Sequence, residues 1–251
     1  MEAERYRLND IADQHSYALG FNGRLTKYRA QTIFELCSGT EKSVLDVGCG
    51  EGLLTHYLVS QFQTVHAVDA SDQYIEKAKR RLPTQVTFVL SLVEEFVPEQ
   101  SYDLIIMSGL LEHVVNPVEL LTKTAGWLAP TGCIIAIVPN ALSLHRRLGK
   151  ALGMIPDCYA LHELDARVGH RRVYDRSALC QEFRRSGLRV LQSGGILLKP
   201  LSNGQMEDWN EPLCDALYQV GRELPDYCAE LYVKGTWEGP RSRQHRVCPE
   251  P

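Results

Sequence analysis

Val44-Leu45-Asp46-Val47-Gly48-Cys49-Gly50-Glu51-Gly52 is an apolar run that breaks into three alternating glycines, and its reading decides the fold. It predicts a strand, a tight turn and the start of a helix. Glycines at every second position let the backbone turn sharply and approach a ligand, with the N–H groups of the following helix aimed at it. Leu53, Leu54, Tyr57 and Leu58 then fall on one helical face. A second apolar run, Thr64-Val65-His66-Ala67-Val68-Asp69, ends on an acid 21 residues beyond Gly48. A nucleoside-binding βαβ unit places the carboxylate for its ribose hydroxyls there.

The dinucleotide fingerprint requires its third glycine at position 53, which is Leu53, and Glu51 sets a negative charge where a pyrophosphate would lie. The turn suits a ligand with a cationic sulfonium or amine better than it suits NAD. Two more stretches follow in order, Tyr102-Asp103-Leu104-Ile105-Ile106-Met107 and Leu111-Glu112-His113-Val114. With Val44 to Gly52 and Asp69, they make the chain resemble the class I S-adenosylmethionine-dependent methyltransferases. The Leu-Glu-His-Val element resembles the branch that holds ubiquinone-pathway O-methyltransferases and many natural-product, sugar and lipid methyltransferases. The resemblance covers residues 25 to 140 well and the rest loosely.

What the resemblance implies is a Rossmann-like, doubly wound α/β fold. Its seven-stranded sheet has an antiparallel last strand, an N-terminal helical cap and a lid inserted after the fifth strand. Gly48, Gly50 and Gly52 shape the cofactor loop, Asp69 holds the ribose, and Asp46 and Glu51 orient the cationic end of methionine. Ser108 matches a backbone contact to the cofactor. Arg29 is the nearest match, one residue out of register, to an arginine that binds the methionine carboxylate; an ordinary surface arginine is the competing reading. Many relatives carry Gly-Asp where Ser91-Leu92 stands, so adenine recognition falls to backbone groups near Leu92 and Val93. In some relatives the counterparts of Glu112 and His113 bind a divalent metal with one further acid upstream. Gly109 stands in that acid's place, and no metal is expected.

An imidazole at the pocket mouth with an ordinary pKa can take a proton from a hydroxyl or amine, which makes His113 one candidate base. The other is His170, because Gly169-His170-Arg171-Arg172-Val173-Tyr174 resembles the Gly-His-x-Arg-x-Tyr/Phe element that follows the lid in many relatives. The alternative for Glu112 and His113 is service to backbone groups at a loop-to-helix junction. His145 and His162 share the lid region with Asp157, Glu163 and Asp165, but no spacing there matches a metal signature.

Strands are expected at 44–47, 64–69, 86–90, 104–107, 133–138, 188–192 and 229–234, and the run from Ala141 to Tyr174 is too apolar for a free loop. Helices are expected from 52, over 72–82, after Asn116-Pro117, after an Asp175 or Ser177 cap and over 213–224. The boundaries are a cap over 1–40, a methyltransferase domain over 41–235 with its lid at about 141–174, and a disordered tail over 236–251.

The chain has 251 residues, 44% of them apolar, enough for one α/β domain with a substantial core. Its net charge of −4 without a long basic run argues against a nucleic-acid partner. Arg146-Arg147, Arg171-Arg172 and Arg184-Arg185 read as solvated local pairs. Eight cysteines without a Cys-x-x-Cys pair read as reduced thiols, and neither a signal peptide nor a membrane-length run is visible, so a cytoplasmic protein is expected. The function these observations support is methyl transfer from S-adenosylmethionine to an oxygen of a small molecule. The alternatives are N-methylation of an amino sugar or amino acid, and a binding module that keeps the fold without catalysis. Oligomeric state stays open.

Overall fold

The computed structural model describes residues 20–82, 84, 86–161 and 163–239, together with Asn9, Asp10 and Ala12, and Leu164 by its backbone alone. The chain alternates α1 (Phe21–Leu36), β1 (Ser43–Val47), α2 (Leu53–Leu58), β2 (Thr64–Asp69), α3 (Asp72–Arg81) and β3 (Thr87–Leu90). It continues with β4 (Tyr102–Ser108), α4 (Pro117–Ala125), β5 (Leu128–Pro139), α5 (Leu144–Ala151), α6 (Glu163–Val168) and α7 (Arg176–Arg185). β6 (Leu188–Leu198), α8 (Glu211–Gly221) and β7 (Cys228–Trp237) complete it.

The strands form one seven-stranded sheet in the order β3-β2-β1-β4-β5-β7-β6. β7 runs antiparallel to both of its neighbours, whereas β1 through β5 pair in parallel. Parallel strands buried on both faces require apolar side chains in both directions, which is why β1, β4 and β5 read as continuous hydrophobic runs. Leu45, Val47, Ile105, Met107, Ile134 and Ala136 face one core with α4 and α7. Val44, Leu104, Ile106, Cys133, Ile135 and Ile137 face the other with α1, α2 and α8. From β1 the chain steps outward through β2 to β3 and then returns to β4 on the other side. The order therefore reverses between β1 and β4, and ligands of open α/β sheets bind in the crevice beyond the C-terminal ends of such strands.

Helix starts follow the expected capping chemistry. Asn116 accepts the Glu119 N–H ahead of Pro117, Asp175 rather than Ser177 accepts that of Ala178, and Asn210 accepts that of Leu213. Asn210 also moves the last helix to 211–221, ahead of the expected 213–224.

Strand and cap boundaries also differ from expectation. β6 runs to Leu198, past the expected end at 192 and through Gly194-Gly195. A Cβ on Gly194 would lie 2.6 Å from the Tyr232 hydroxyl, and one on Gly195 would lie 2.4 Å from the Pro225 carbonyl, so these glycines let β6 sit close to β7 and to the turn that precedes it. β7 continues to Trp237, whose indole packs over Gly187, so the segment expected to be a disordered tail still carries strand at 236–237. Residues 240–251 of that tail lie outside the described residues. The part of the expected cap that is described, α1, is a layer helix: Phe21, Leu25, Tyr28 and Ile33 are buried in the second core. Most of residues 1–19 fall outside the described residues. Among the described residues, no helix is long and apolar enough to cross a membrane.

Candidate active site

All three glycines of the turn after β1 have positive φ, +75° at Gly48, +52° at Gly50 and +72° at Gly52, a region costly for residues with a Cβ. They serve different ends. A Cβ on Gly48 would lie 3.2 Å from Leu110 and one on Gly52 3.0 Å from the Ala78 methyl, so these two let the β4 loop and α3 approach. A Cβ on Gly50 would meet nothing within 4 Å. Gly50 thus presents bare backbone to open space, as a cofactor cradle requires. The turn is also tied to the end of β2. Gly50 N–H donates to Asp69 Oδ2 at 2.9 Å and Ser71 N–H donates to Asp69 Oδ1 at 2.9 Å, and the half-buried carboxylate keeps lone pairs for further donors. Burial pushes the Asp69 carboxyl up, and the backbone N–H groups oppose that rise.

Asp46 is 1% exposed and accepts the Thr55 hydroxyl at 2.7 Å. Burial pushes its carboxyl up to about 6, with the Thr55 bond opposing. A cationic group nearby would favour the ionised form, which suits the role assigned to Asp46. Glu51 is buried at the same turn. At the expected adenine edge, the Leu92 carbonyl already accepts the Glu95 and Phe96 N–H groups and the Ser91 hydroxyl. The Val93 carbonyl accepts Lys123 Nζ at 3.3 Å. Backbone recognition of adenine at Leu92 and Val93 is thereby left to their N–H groups, donors suited to ring nitrogens rather than to the amino group. Ser108, at the end of β4, has a buried hydroxyl with no hydrogen-bond partner among the described residues. An orphaned donor at the sheet's switch point fits a ligand contact.

Beyond β4, Glu112 is 2% exposed, and its Oε2 has no hydrogen-bond partner among the described residues. Burial pushes its carboxyl up to about 7, the charges of His170 and Arg29 opposing and that of Glu230 adding. The rings of His113 and His170 meet edge to face with centroids 4.7 Å apart. Glu112, His113 and His170 each bring one ligand-capable atom to within 4.8 Å of the other two. The expectation of no metal rested on Gly109. The fold supplies a third donor from the lid instead, so that argument does not hold by itself.

His170 reaches this cluster because the segment 169–174 is sewn to the loop after β4. Arg171 N–H donates to the Glu112 carbonyl and Arg171 Nε to the His113 carbonyl, each at 2.8 Å. Arg172 donates to the carbonyls of Leu111 at 2.8 Å, Val114 at 2.6 Å and Val115 at 3.1 Å. The pair thus clamps backbone, with Arg172 half-buried and Arg171 still exposed as expected of a solvated residue. Arg146, also read as solvated, is 8% exposed and binds the Cys158 and Ala160 carbonyls and Asp165.

Arg29, the expected partner of a methionine carboxylate, forms an ion pair across the second core. Its Nε donates to Glu230 Oε2 at 2.8 Å and its NH2 group to Oε1, so one edge of its guanidinium is held by β7. Glu230 also faces Lys199, whose amine burial pushes down to about 8 and whose Nζ donates to Asn203 at 2.6 Å. Glu230, Lys199, Asp165 and Arg146 have no local motif. Only the charge of an otherwise apolar strand at Glu230 could have drawn notice.

A family model described as "Methyltransferase domain" matches residues 20–193. Among curated proteins, the ubiquinone biosynthesis O-methyltransferase of Saccharophagus degradans is 29% identical over 186 residues, 71% of this chain and 76% of that one. The trans-aconitate 2-methyltransferase of Methylobacterium nodulans is 30% identical over 142 residues, 55% of each chain. Among solved structures, the N-methyltransferase NodS of Bradyrhizobium japonicum in complex with S-adenosyl-L-homocysteine superposes with a TM-score of 0.55. It is 14% identical, the match covering 86% of this chain and 88% of that one, a likeness of fold.

Proposed function

Because the chain belongs to the methyltransferase domain family and is a class I S-adenosyl-L-methionine-dependent methyltransferase, we propose that it methylates a hydroxyl oxygen of a small-molecule acceptor. The observation that carries this reading is the convergence, at one end of the sheet, of the glycine turn with Glu112, His113 and His170.

The cofactor, when bound, supplies a methyl carbon already activated by its sulfonium and leaves as S-adenosylhomocysteine. Gly50 and Asp69 fit the nucleoside, with the carboxylate accepting ribose hydroxyls. Asp46 and Glu51 set negative charge near the methionine end. Ser108 and the N–H groups of Leu92 and Val93 offer donors. The task left to the chain is to align the acceptor, exclude water and take one proton. With the methyl group supplied in that way, His170 or His113 would take the proton that the acceptor hydroxyl gives up. The imidazolium then returns that proton to water. Carboxylate acceptors, which the trans-aconitate relative's name implies for that protein, need no such base. Two histidines beside a buried acid therefore favour a hydroxyl.

A second reading is supported by the same three side chains. Glu112, His113 and His170 would hold a divalent cation that lowers the acceptor hydroxyl's pKa, with Asp165 on the other nitrogen of His170 as its orienting partner.

The test is calorimetric titration with S-adenosylmethionine, S-adenosylhomocysteine and NAD, beside Asp69→Ala. Micromolar affinity for both adenosyl ligands that is lost in the variant is expected; no affinity for either would sink the reading. A screen of alcohols, phenols, amines and carboxylates with labelled methyl donor, run with and without chelator, then separates hydroxyl from amine acceptors and base from metal. Cofactor binding with no methylated product from any class would leave a non-catalytic module.

A further inference from the structure

His170 is held from behind. Its Nδ1 lies 3.0 Å from Asp165 Oδ1, and its backbone N–H donates to the Asp165 carbonyl at 2.8 Å. One residue thus fixes both the ring and the main chain of His170. Asp165 Oδ2 in turn lies 3.6 Å from the Arg146 guanidinium. The three side chains are 13%, 9% and 8% exposed, so water competes little for these contacts. Arg146 is itself anchored: Nε donates to the Cys158 carbonyl at 2.8 Å and NH2 to that of Ala160. The chain of contacts runs from α5 through the 158–160 turn and α6 to the ring that stands against His113.

We propose that Asp165, backed by Arg146, is a positioning residue that fixes His170 as the Nδ1-protonated tautomer and leaves Nε2 to receive the acceptor's proton. This inference rests on His170 being the base. The chemistry is one of acceptor and donor counts. An ionised carboxylate only accepts hydrogen bonds, so it selects the tautomer whose Nδ1 carries hydrogen. Nε2 then has its lone pair in the plane of the ring, unavailable to Asp165 and directed away from it. Arg146 supplies the counter-charge that a carboxylate this buried requires, and it holds the carboxylate plane through bonds to fixed carbonyls. The same arrangement gives His170 what a base needs, a buried carboxylate on Nδ1 that orients the ring.

The resting protein tests this directly, with S-adenosylhomocysteine as the only ligand. Long-range 1H–15N correlation spectra of the imidazoles, with His170 assigned through His170→Gln, should show Nδ1 protonated and Nε2 bare. Asp165→Asn should lose that pattern with S-adenosylhomocysteine affinity unchanged within twofold. Asp165→Glu should keep it. If Asp165→Asn does not fold, the wild-type and Asp165→Glu spectra still decide. A wild-type ring protonated at Nε2, or an unaltered pattern in folded Asp165→Asn, overturns the inference. For an acceptor drawn from the labelled-methyl screen, Asp165→Asn should lower kcat about 100-fold with KM for the cofactor unchanged, the loss expected when a base loses its orientation. Wild-type turnover in His170→Ala would overturn the reading of His170 as base, and the tautomer spectrum judges Asp165 independently of that result.

Discussion

Replacing Glu112 by glutamine should change how stability depends on pH. The Glu112 carboxyl is 2% exposed, and burial raises it from the ordinary 4.5 to about 7, despite the opposing charges of His170 and Arg29. Below pH 4.5 the group is neutral whether the chain is folded or unfolded, and it imposes no penalty. As pH rises from 4.5 to about 7, the unfolded chain ionises while the folded one still holds the proton, and stability is lost across that window. The interval corresponds to about 3 kcal/mol when complete, at about 1.4 kcal/mol for each pH unit. Between pH 5 and pH 8 the wild type should lose about 2–3 kcal/mol that Glu112→Gln does not lose. A buried amide with unmet hydrogen bonds carries its own cost of about 1–3 kcal/mol, but that offset does not vary with pH. The slope is therefore the observable, not the level. Urea unfolding of both proteins at half-unit intervals from pH 5 to 8, in chelator-treated buffer, measures it. A wild-type-minus-variant difference that stays flat across that range would refute the assigned burial and ionisation of Glu112.

The glycine turn makes a paired prediction. Gly50→Ala should fold with a loss of about 1–2 kcal/mol from its left-handed backbone and weaken S-adenosylhomocysteine binding at least tenfold, because the new methyl enters open space. Gly52→Ala should instead destabilise by about 2–3 kcal/mol, since its Cβ would press on the Ala78 methyl at 3.0 Å. Urea melts and calorimetry on both variants check the contrast, and equal binding defects would contradict it. Arg172→Ala removes three bonds to the carbonyls of Leu111, Val114 and Val115. A loss of about 2 kcal/mol is expected, with faster amide hydrogen exchange confined to residues 111–115 and 169–174. Unchanged exchange there would show that the clamp is not what holds the lid base.

What could be read from the residues in order was what depends on local spacing. The glycine turn, the alternation of strands with helices and Asp69 at the end of β2 follow from backbone sterics and periodicity, which act over a few residues. So do the Asn116 and Asp175 caps, and the apolar runs that mark strands buried on two faces. The antiparallel last strand came from the resemblance, and its place between β5 and β6 came only from the structure, since strand order carries no local signal. The extension of β6 through Gly194-Gly195 was hidden because a glycine pair looks the same whether it breaks a strand or lets two strands approach.

The site divides along the same line. The candidate histidines were visible one by one, but their meeting was not. His113 follows β4 and His170 follows α6, and only the folding of the lid base against the β4 loop brings their centroids to 4.7 Å. Arg29 shows a second long-range partner: its position in the helix before β1 suggested a cofactor contact, and only the fold adds Glu230, 201 positions away on the antiparallel strand, to one edge of its guanidinium. Arg146 and Asp165 were read as a solvated charge and a lid acid. Burial at 8% and 9%, together with a shared contact to His170, makes them one unit. The sequence by itself determined the fold class and the place of the cofactor turn, because these rest on interactions between near neighbours. Only the tertiary structure decided which charges are buried together and which nitrogen of His170 is engaged, because long-range packing sets both partner and dielectric.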